Sequence, residues 1–327
     1  MNDNNINNKI IPLIILAGPT AAGKTSVALE LAQMLKTDII SADSAQVYRG
    51  LDIGTAKPTA QEQKKAKHHL IDLVNPDQNY SAADYQKDAD RVINHLWQQN
   101  KLPFMVGGTG LYIKAVTDRF AFGPKGADQK LRDQFINICD EEGLDRLYEK
   151  LCEVDPESAS KIHPNDQKRI IRALEVYTLE GKPISGQISE TRTKVSPYRI
   201  FFHGLTMDRD LLYARIEKRV DQMLEEGFLD EVKNLMAKGY NLNSPGMQIL
   251  GYRQLAEYLE GNISFNAAIQ EIKKQTRNLA KRQLTWFRRE KAIKWHEINN
   301  QSTFSDIAEN IYLQVKDICT WRANNTV

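Results

Sequence analysis

The first apolar run of the chain, IIPLIILAG (residues 10–18), has no charged or amide side chain to break it and stops at a glycine. A short unbroken run of this kind predicts a strand buried on both faces, as in a parallel sheet. TSVALELAQMLK then returns its apolar residues at helical spacing, and TDIISAD reads as a second short strand. HLIDLV (69–74) predicts another. In YSAADYQKDADRVINHLWQQN the period is that of a long amphipathic helix, opened by Ser81 with Asp84 three residues on, a capping box. LPFMVGG is the next buried strand and TGLYIKAVTD a helix. Such alternation predicts an α/β fold with a doubly wound parallel sheet.

From about Phe120 to Pro197 the pattern changes. DQKLRDQFINICDEEGLDRLYEKLCEVD, PESASKIH and NDQKRIIRALEVYTLEG are all helical, with no strand between them. A helical insertion over 120–197 is therefore expected within a core formed by 1–119 and 198–327. The strand YRIFFHGLTM (198–207) returns the chain to the sheet. DRDLLYARIEKRVDQMLEEG, LDEVKNLMAKG, a long helix around 264–290, a strand at AIKWHEI and a closing helix at SDIAENIYLQVKDICTWRA complete it.

Composition narrows the class. The 327 residues suffice for two domains at ~150 residues each, and no apolar run nears the ~18 residues of a membrane span. MNDNNINNK has no apolar segment of its own, so the expectation is no signal peptide, no membrane and a cytoplasmic location. Cys139, Cys152 and Cys319 form no CxxC pair and no cluster with histidine, which argues for free thiols. His68, His69, His163, His203 and His296 show neither HxxxH nor HExxH spacing, so histidine metal ligation is not expected. A net charge of only +2 means that a nucleic-acid partner must be met by local basic patches.

The chemistry starts at GPTAAGKT (Gly18, Pro19, Thr20, Ala21, Ala22, Gly23, Lys24, Thr25), which satisfies GxxxxGK[ST] between a predicted strand and a predicted helix. In a P-loop the glycines let backbone N–H groups curl around phosphate oxygens, the lysine adds a cation, and the hydroxyl of Thr25 can ligate Mg2+. The motif specifies a polyphosphate without saying which. Asp43 falls at the carboxyl edge of the second strand, close to that loop in a doubly wound sheet. It could hold metal, accept a proton, or simply cap a turn before Ser44.

GPTAAGKT, ISADSAQVYRGLDIGTAKP, HHLIDLVNPDQNYSAADY, VGGTGLY, IHPNDQKRIIRALEVY, QILGYRQL and TRNLAKRQLTWFRR occur in this order. Together they resemble the bacterial tRNA dimethylallyltransferases, the tRNA isopentenyltransferase family, from about Ile11 to Trp295. The resemblance implies transfer of a dimethylallyl group from dimethylallyl diphosphate to N6 of adenosine 37, beside the anticodon, in tRNAs reading UNN codons, with release of diphosphate. On it, Lys24, Thr25 and the loop amides hold the diphosphate, Thr109 of VGGTGLY donates to it beside Gly107 and Gly108, and Arg215 adds a cation with Arg219 one turn later. Asp43 is the implied general base, and Ser44, Ala45 and Gln46 lie where the flipped base enters.

The same resemblance places the tRNA anticodon stem-loop against three further segments. They are Gln167, Lys168, Arg169, Ile170 and Ile171 of the insertion with Arg132, then Gln248, Ile249, Leu250, Gly251, Tyr252 and Arg253, then Lys281, Arg282, Gln283, Leu284, Thr285, Trp286, Phe287 and Arg288. A projection at ~100° per residue puts Lys274, Arg277, Lys281, Arg282, Arg288 and Arg289 on one side of the last helix, opposite Ile272, Leu279, Ala280 and Phe287. Tyr112 and Trp286 either belong to the core, line a prenyl tunnel or stack on RNA. Leu250 departs from the small residue that the resemblance leads one to expect there. The Cys/His zinc extension of eukaryotic relatives is not expected here, so the resemblance is to bacterial enzymes, and a monomer is the expected form. An adenylate isopentenyltransferase working on free AMP, ADP or ATP, a P-loop small-molecule kinase and a non-catalytic RNA-binding module are the competing readings.

Overall fold

Every residue of the first strand, β1 (Ile11–Ala17), is buried, because the strand sits inside a six-stranded sheet with helices packed on both faces. The computed structural model describes residues 10–120, 128–186, 196–299 and 303–323. They fall into two units, Met1–Thr117 with Pro197–Val327, and Asp118–Ser196. In the larger unit the strands are β2 (Ile39–Ala42), β3 (His68–His69), β4 (Phe104–Gly107), β5 (Tyr198–Met207) and β6 (Lys294–Ile298). Their order is β3-β2-β4-β1-β5-β6, and every pairing is parallel.

Register explains a proline in the central strand. Ile11 N–H donates to Pro197 O on the β5 side, and Ile14 N–H donates to Pro103 O on the β4 side. Pro12 has the parity of Ile14, so its missing donor faces the β4 side two residues before β4 begins opposite Ile14. Alternation then sorts the strand between two cores. Leu13 and Ile15 join the core with α3 (Ala82–Gln98), α4 (Gly110–Thr117), α10 (Phe228–Ala237), α11 (Tyr252–Leu259) and α12 (Phe265–Phe287). Ile14 and Leu16 join the one with α1 (Lys24–Leu35) and α13 (Phe304–Ala323). Each such side chain contributes about 1.5–3 kcal/mol on burial. Between β5 and α10, α9 (Arg209–Glu225) gives Leu212 and Ile216 to the second core and Val220 to the first.

The capping box forms as the sequence predicts. Ser81 N–H donates to Asp84 Oδ2 at 2.9 Å and Asp84 N–H donates to Ser81 Oγ at 3.2 Å. The strand expected over 69–74 is cut short at His69. Leu70 and Asp72 take positive φ of 63° and 54°, and the chain folds back so that Asp72 N–H and Leu73 N–H donate to Gln46 O and Val47 O. The buried ammonium of Lys57 holds that turn through Asp72 at 2.6 Å, an ion pair that apolar periodicity does not report.

The smaller unit is helical, with α5 (Gln129–Glu142), α6 (Leu144–Val154), α7 (Pro156–Ala159) and α8 (Gln167–Glu180) packed around Phe135, Leu147, Leu151, Ile170 and Leu174. Glu175 is fully buried at its centre. It accepts the Asp128 N–H at 2.8 Å, the Arg132 guanidinium at 2.9 and 3.0 Å, and Arg172 at 2.6 Å. No helix among the described residues is long and apolar enough to cross a membrane.

Candidate active site at the carboxyl edge of the sheet

Ala17, Gly107 and Ala42 end β1, β4 and β2 in level register, Ala17 opposite Gly107 and Gly107 opposite Ala42. Parallel strands leave the sheet in one direction, so Gly18, Gly108 and Asp43 begin three adjacent loops. The phosphate loop, the Thr109 turn and the Asp43 turn are thereby brought to one edge.

The phosphate loop opens α1 with Gly23 at φ 85°, and no side chain caps that helix. Its first-turn amides and the positive end of the dipole are thus presented to an anion. Lys24 Nζ folds back onto Gly18 O at 3.0 Å and Pro19 O at 2.8 Å, which closes the loop into a ring. Burial pushes the Lys24 ammonium down to about 8, with the Asp43 carboxylate opposing that shift and Arg219 adding to it. Burial also lowers Arg219, again against the pull of Asp43. These couplings place Asp43 among the cations.

Asp43 Oδ1 accepts the Ala45 N–H at 2.9 Å, and Ser44 N–H donates to Thr109 Oγ1 at 3.0 Å. The Thr109 hydroxyl donates to Ser44 Oγ at 3.2 Å, so in this structure it ties two loops together. Gln46 is held on both ends of its carboxamide: Oε1 accepts Ser41 Oγ–H at 2.9 Å, and Nε2 donates to Ala56 O at 3.2 Å. Arg215 lies over the Phe304 ring at 5.5 Å. That ring covers Gly23, where a Cβ would lie 2.4 Å from it. Phe304 had no sequence signal, since nothing local ties it to a loop some 280 residues upstream.

These groups face a cavity of about 570 Å³. Its lining includes Thr20, Gly23, Lys24, Thr25, Arg215 and Arg219 together with apolar Ile216, Val220, Met223, Phe228, Ile249, Leu250, Ile272 and Leu279. Asp43, Ala45 and Gln46 also line it. An anion and a short hydrocarbon would each meet matching side chains in this cavity, with a carboxylate at hand.

The family model described as IPP transferase matches residues 46–290. The chain belongs to that family. It is 47% identical over 305 residues to the tRNA dimethylallyltransferase of Natranaerobius thermophilus, covering 93% of this chain and 91% of that relative. Among solved structures it resembles the full-length tRNA isopentenylpyrophosphate transferase of Bacillus halodurans, at 40% identity and a TM-score of 0.69, covering 95% of this chain and 99% of that one. It also resembles a eukaryotic dimethylallyltransferase acting on tRNA, at 27% identity and a TM-score of 0.80, over 97% of this chain and 81% of that one. Its parallel α/β core is therefore that of the IPP transferases.

In this IPP transferase many side chains expected at the tRNA are engaged within the fold. Ile170, Ile171, Tyr252 and Phe287 are buried in hydrophobic cores, where their side chains meet no solvent-borne ligand. Tyr112 is likewise core, stacked on Tyr85 at 4.1 Å. The Arg132 guanidinium is spent on Glu175, a pair that anchors α5 to α8. Gln283 is not a free contact. Its Oε1 accepts Thr20 N–H at 2.8 Å and its Nε2 donates to Gly108 O at 3.1 Å, so it buttresses the phosphate loop. Leu284 packs in the second core, and half-buried Trp286 packs against Gly110. Arg277 pairs with Glu217 at 2.6 Å and Lys274 with Glu271 at 3.2 Å. Gln248 donates to Leu242 O and Arg253 pairs with Glu257 at 2.8 Å, both exposed. Lys281, Arg282, Thr285, Arg288 and Arg289 remain exposed on α12 and just past it, as do Lys168 and Arg169 on α8.

Proposed function

We propose that this chain transfers the dimethylallyl group of dimethylallyl diphosphate to N6 of adenosine 37 in tRNAs reading UNN codons. The observation that carries the reading is one cavity lined by the cationic phosphate loop, by apolar side chains and by Asp43. Relatives named tRNA dimethylallyltransferase at 45–47% identity support it. On this reading the diphosphate lies on the loop amides of Gly18 to Thr25, with Lys24, Arg215 and Arg219 balancing the charge that builds on the bridging oxygen as the C1–O bond breaks. The N6 amine forms the new bond to C1, and the diphosphate leaves with its phosphoanhydride intact.

An adenine amine is a weak nucleophile because its lone pair is delocalised into the ring. Asp43 accepts the proton it sheds, and its hydrogen bond from Ala45 N–H keeps the carboxylate oriented. Thr109 shapes the turn that carries Asp43, and Ser44, Ala45 and Gln46 receive the flipped base. The donor set also fits a hard cation: a Thr25 hydroxyl and the Asp43 carboxylate line the pocket, and no cluster of three metal-binding side chains exists among the described residues. Mg2+, which keeps most of its shell for water and phosphate oxygens, would be held by Thr25 and would stabilise the leaving diphosphate.

The exposed Lys281, Arg282, Arg288 and Arg289 are the RNA phosphate contacts of the core in this proposal, and Gln167, Lys168 and Arg169 those of the helical unit, with the anticodon stem-loop as the ligand and a monomer as the working form. The test supplies labelled dimethylallyl diphosphate with either an A36-A37 anticodon stem-loop or AMP. Label in the stem-loop is the expected result. Label only in AMP establishes an adenylate isopentenyltransferase, and ATP consumption with a small alcohol a kinase.

A further inference from the structure

A single carboxylate gathers three consecutive backbone amides beside the cavity. Glu231, on α10, accepts Ile53 N–H at 2.9 Å and Asp52 N–H at 3.1 Å through Oε2, and Gly54 N–H at 3.3 Å through Oε1. The Tyr252 hydroxyl donates to Oε1 as well. Four donors match the roughly four lone-pair sites of a carboxylate, so the side chain has no capacity left for another ligand. Phe228, three positions before Glu231 on the same helix, presses its ring onto Gly54 together with Tyr252.

What the carboxylate holds leads directly into the cavity. Gly54, Thr55 and Ala56 line it, as does Gln46, while Glu231 itself does not. Ala56 sits at φ 47°, its N–H donating to Ile53 O at 2.9 Å, and its carbonyl receives the Gln46 amide at 3.2 Å. On the far flank Lys57 Nζ reaches Tyr48 O at 2.9 Å and the Asp52 and Asp72 carboxylates at 2.6 Å each. The loop is thus gripped on both sides of Ala56. The cationic groups Lys24, Arg215 and Arg219 come from α1 and α9, and Glu231 hydrogen-bonds to neither helix.

We propose that Glu231 is a positioning residue for the acceptor base: it fixes the 52–56 loop so that Ala56 O orients the Gln46 carboxamide toward the adenine. The inference rests on the reading of this cavity as the site of prenyl transfer to adenine. It separates the two substrates, because losing Glu231 releases the 52–54 amides and removes none of the hydrogen bonds that shape the phosphate loop.

The experiment compares wild type with Glu231→Ala, Glu231→Gln and Tyr252→Phe in steady-state and single-turnover assays. It uses dimethylallyl diphosphate and the anticodon stem-loop, with hydrogen exchange measured over residues 47–57. Glu231→Ala is expected to lower kcat/KM for the stem-loop about 100-fold, the scale of a 1 Å misplacement, while the KM for the diphosphate stays within about twofold. Glu231→Gln, which keeps one accepting oxygen, is expected to lose about tenfold, and amides 52–54 to exchange at least about tenfold faster in Glu231→Ala. A diphosphate KM that rises in step with the lost stem-loop turnover overturns the proposal, as does wild-type turnover in a variant whose loop amides have loosened. Should Glu231→Ala fail to fold, Tyr252→Phe carries the same test through a fall of about threefold in stem-loop kcat/KM at constant diphosphate KM. If wild type itself transfers nothing to the stem-loop, the proposed function fails on its own. Exchange at 52–54 then still reads the loop-holding role, and unchanged exchange in Glu231→Ala overturns it.

Discussion

Gln283 Oε1 accepts the backbone N–H of Thr20 at 2.8 Å, linking α12 to the phosphate loop across 263 positions of sequence. Its amide nitrogen donates to Gly108 O at 3.1 Å, so one carboxamide spans the loops that follow β1 and β4. Cutting both bonds leaves two backbone groups beside the cavity unpaired, at about 1–3 kcal/mol each where water cannot replace the partner. Gln283→Ala is therefore expected to raise the KM for dimethylallyl diphosphate about tenfold. An unchanged KM in steady-state assays would show that the loop stands without α12.

Asp43→Ala is expected to lower turnover about 100-fold or more, with stem-loop affinity nearly intact. Asp43→Asn preserves an oxygen for the Ala45 N–H but accepts no proton, so it should lose nearly as much. Single-turnover rates alongside stem-loop binding isotherms separate the base from the turn cap. Full turnover in either variant removes Asp43 from the chemistry.

Lys24 titrates near 8, well below an ordinary lysine, because burial disfavours its charge. The ammonium is present below that pH and is lost as pH rises through it. The kcat/KM for dimethylallyl diphosphate should therefore fall above about pH 8. Lys24→Arg, whatever its cost in rate, should move that alkaline limb up by more than about one pH unit, since guanidinium stays charged. A limb that does not move assigns the titration to another group.

His203 is 2% exposed and bonded to His296 at 3.0 Å, and burial beside His296 and Lys294 pushes it down to about 4. Its folded value lies below the unfolded one, near 6.5, so the unfolded chain binds the extra proton between them. Stability supplied by neutral His203 is complete above pH 6.5 and is lost as pH falls toward 4, of order 3 kcal/mol at 1.36 kcal/mol per pKa unit. Urea unfolding from pH 7 to 4 should show a steeper acid loss in wild type than in His203→Gln. Parallel curves would exclude His203 as the source.

Arg132→Ala is expected to destabilise the helical unit by about 2 kcal/mol, because buried Glu175 loses a bidentate partner while keeping Arg172 and the Asp128 N–H. Lys168→Ala with Arg169→Ala, both exposed, should spare stability and weaken stem-loop binding. Calorimetry and binding at two salt concentrations resolve the pair. Stem-loop binding lost in Arg132→Ala without any loss of stability would return Arg132 to the RNA contacts.

Much of the fold could be read directly from local pattern. Unbroken apolar runs marked β1 and β4, and Ser81 with Asp84 marked the start of α3. These are short-range effects: steric preference, side-chain period, and caps within four residues. The turn that opens α1 and the carboxylate just past the end of β2 were legible for the same reason, since each is local. The strand expected over 69–74 was not safe on pattern alone, because Lys57 draws Asp72 into a turn from 15 positions away.

Sequence by itself determined the parallel core, the glycine-rich turn that opens α1 and the family resemblance, because each is written in contiguous residues. Only the tertiary structure decided which polar side chains are spent on the fold. Gln283, Arg132 and Glu231 look alike in sequence as polar positions on helix surfaces, yet one buttresses the phosphate loop, one neutralises a buried carboxylate, and one holds the 52–54 amides. Their partners lie 263, 43 and 178 positions away, and hydrogen bonding at such separations follows from packing rather than periodicity.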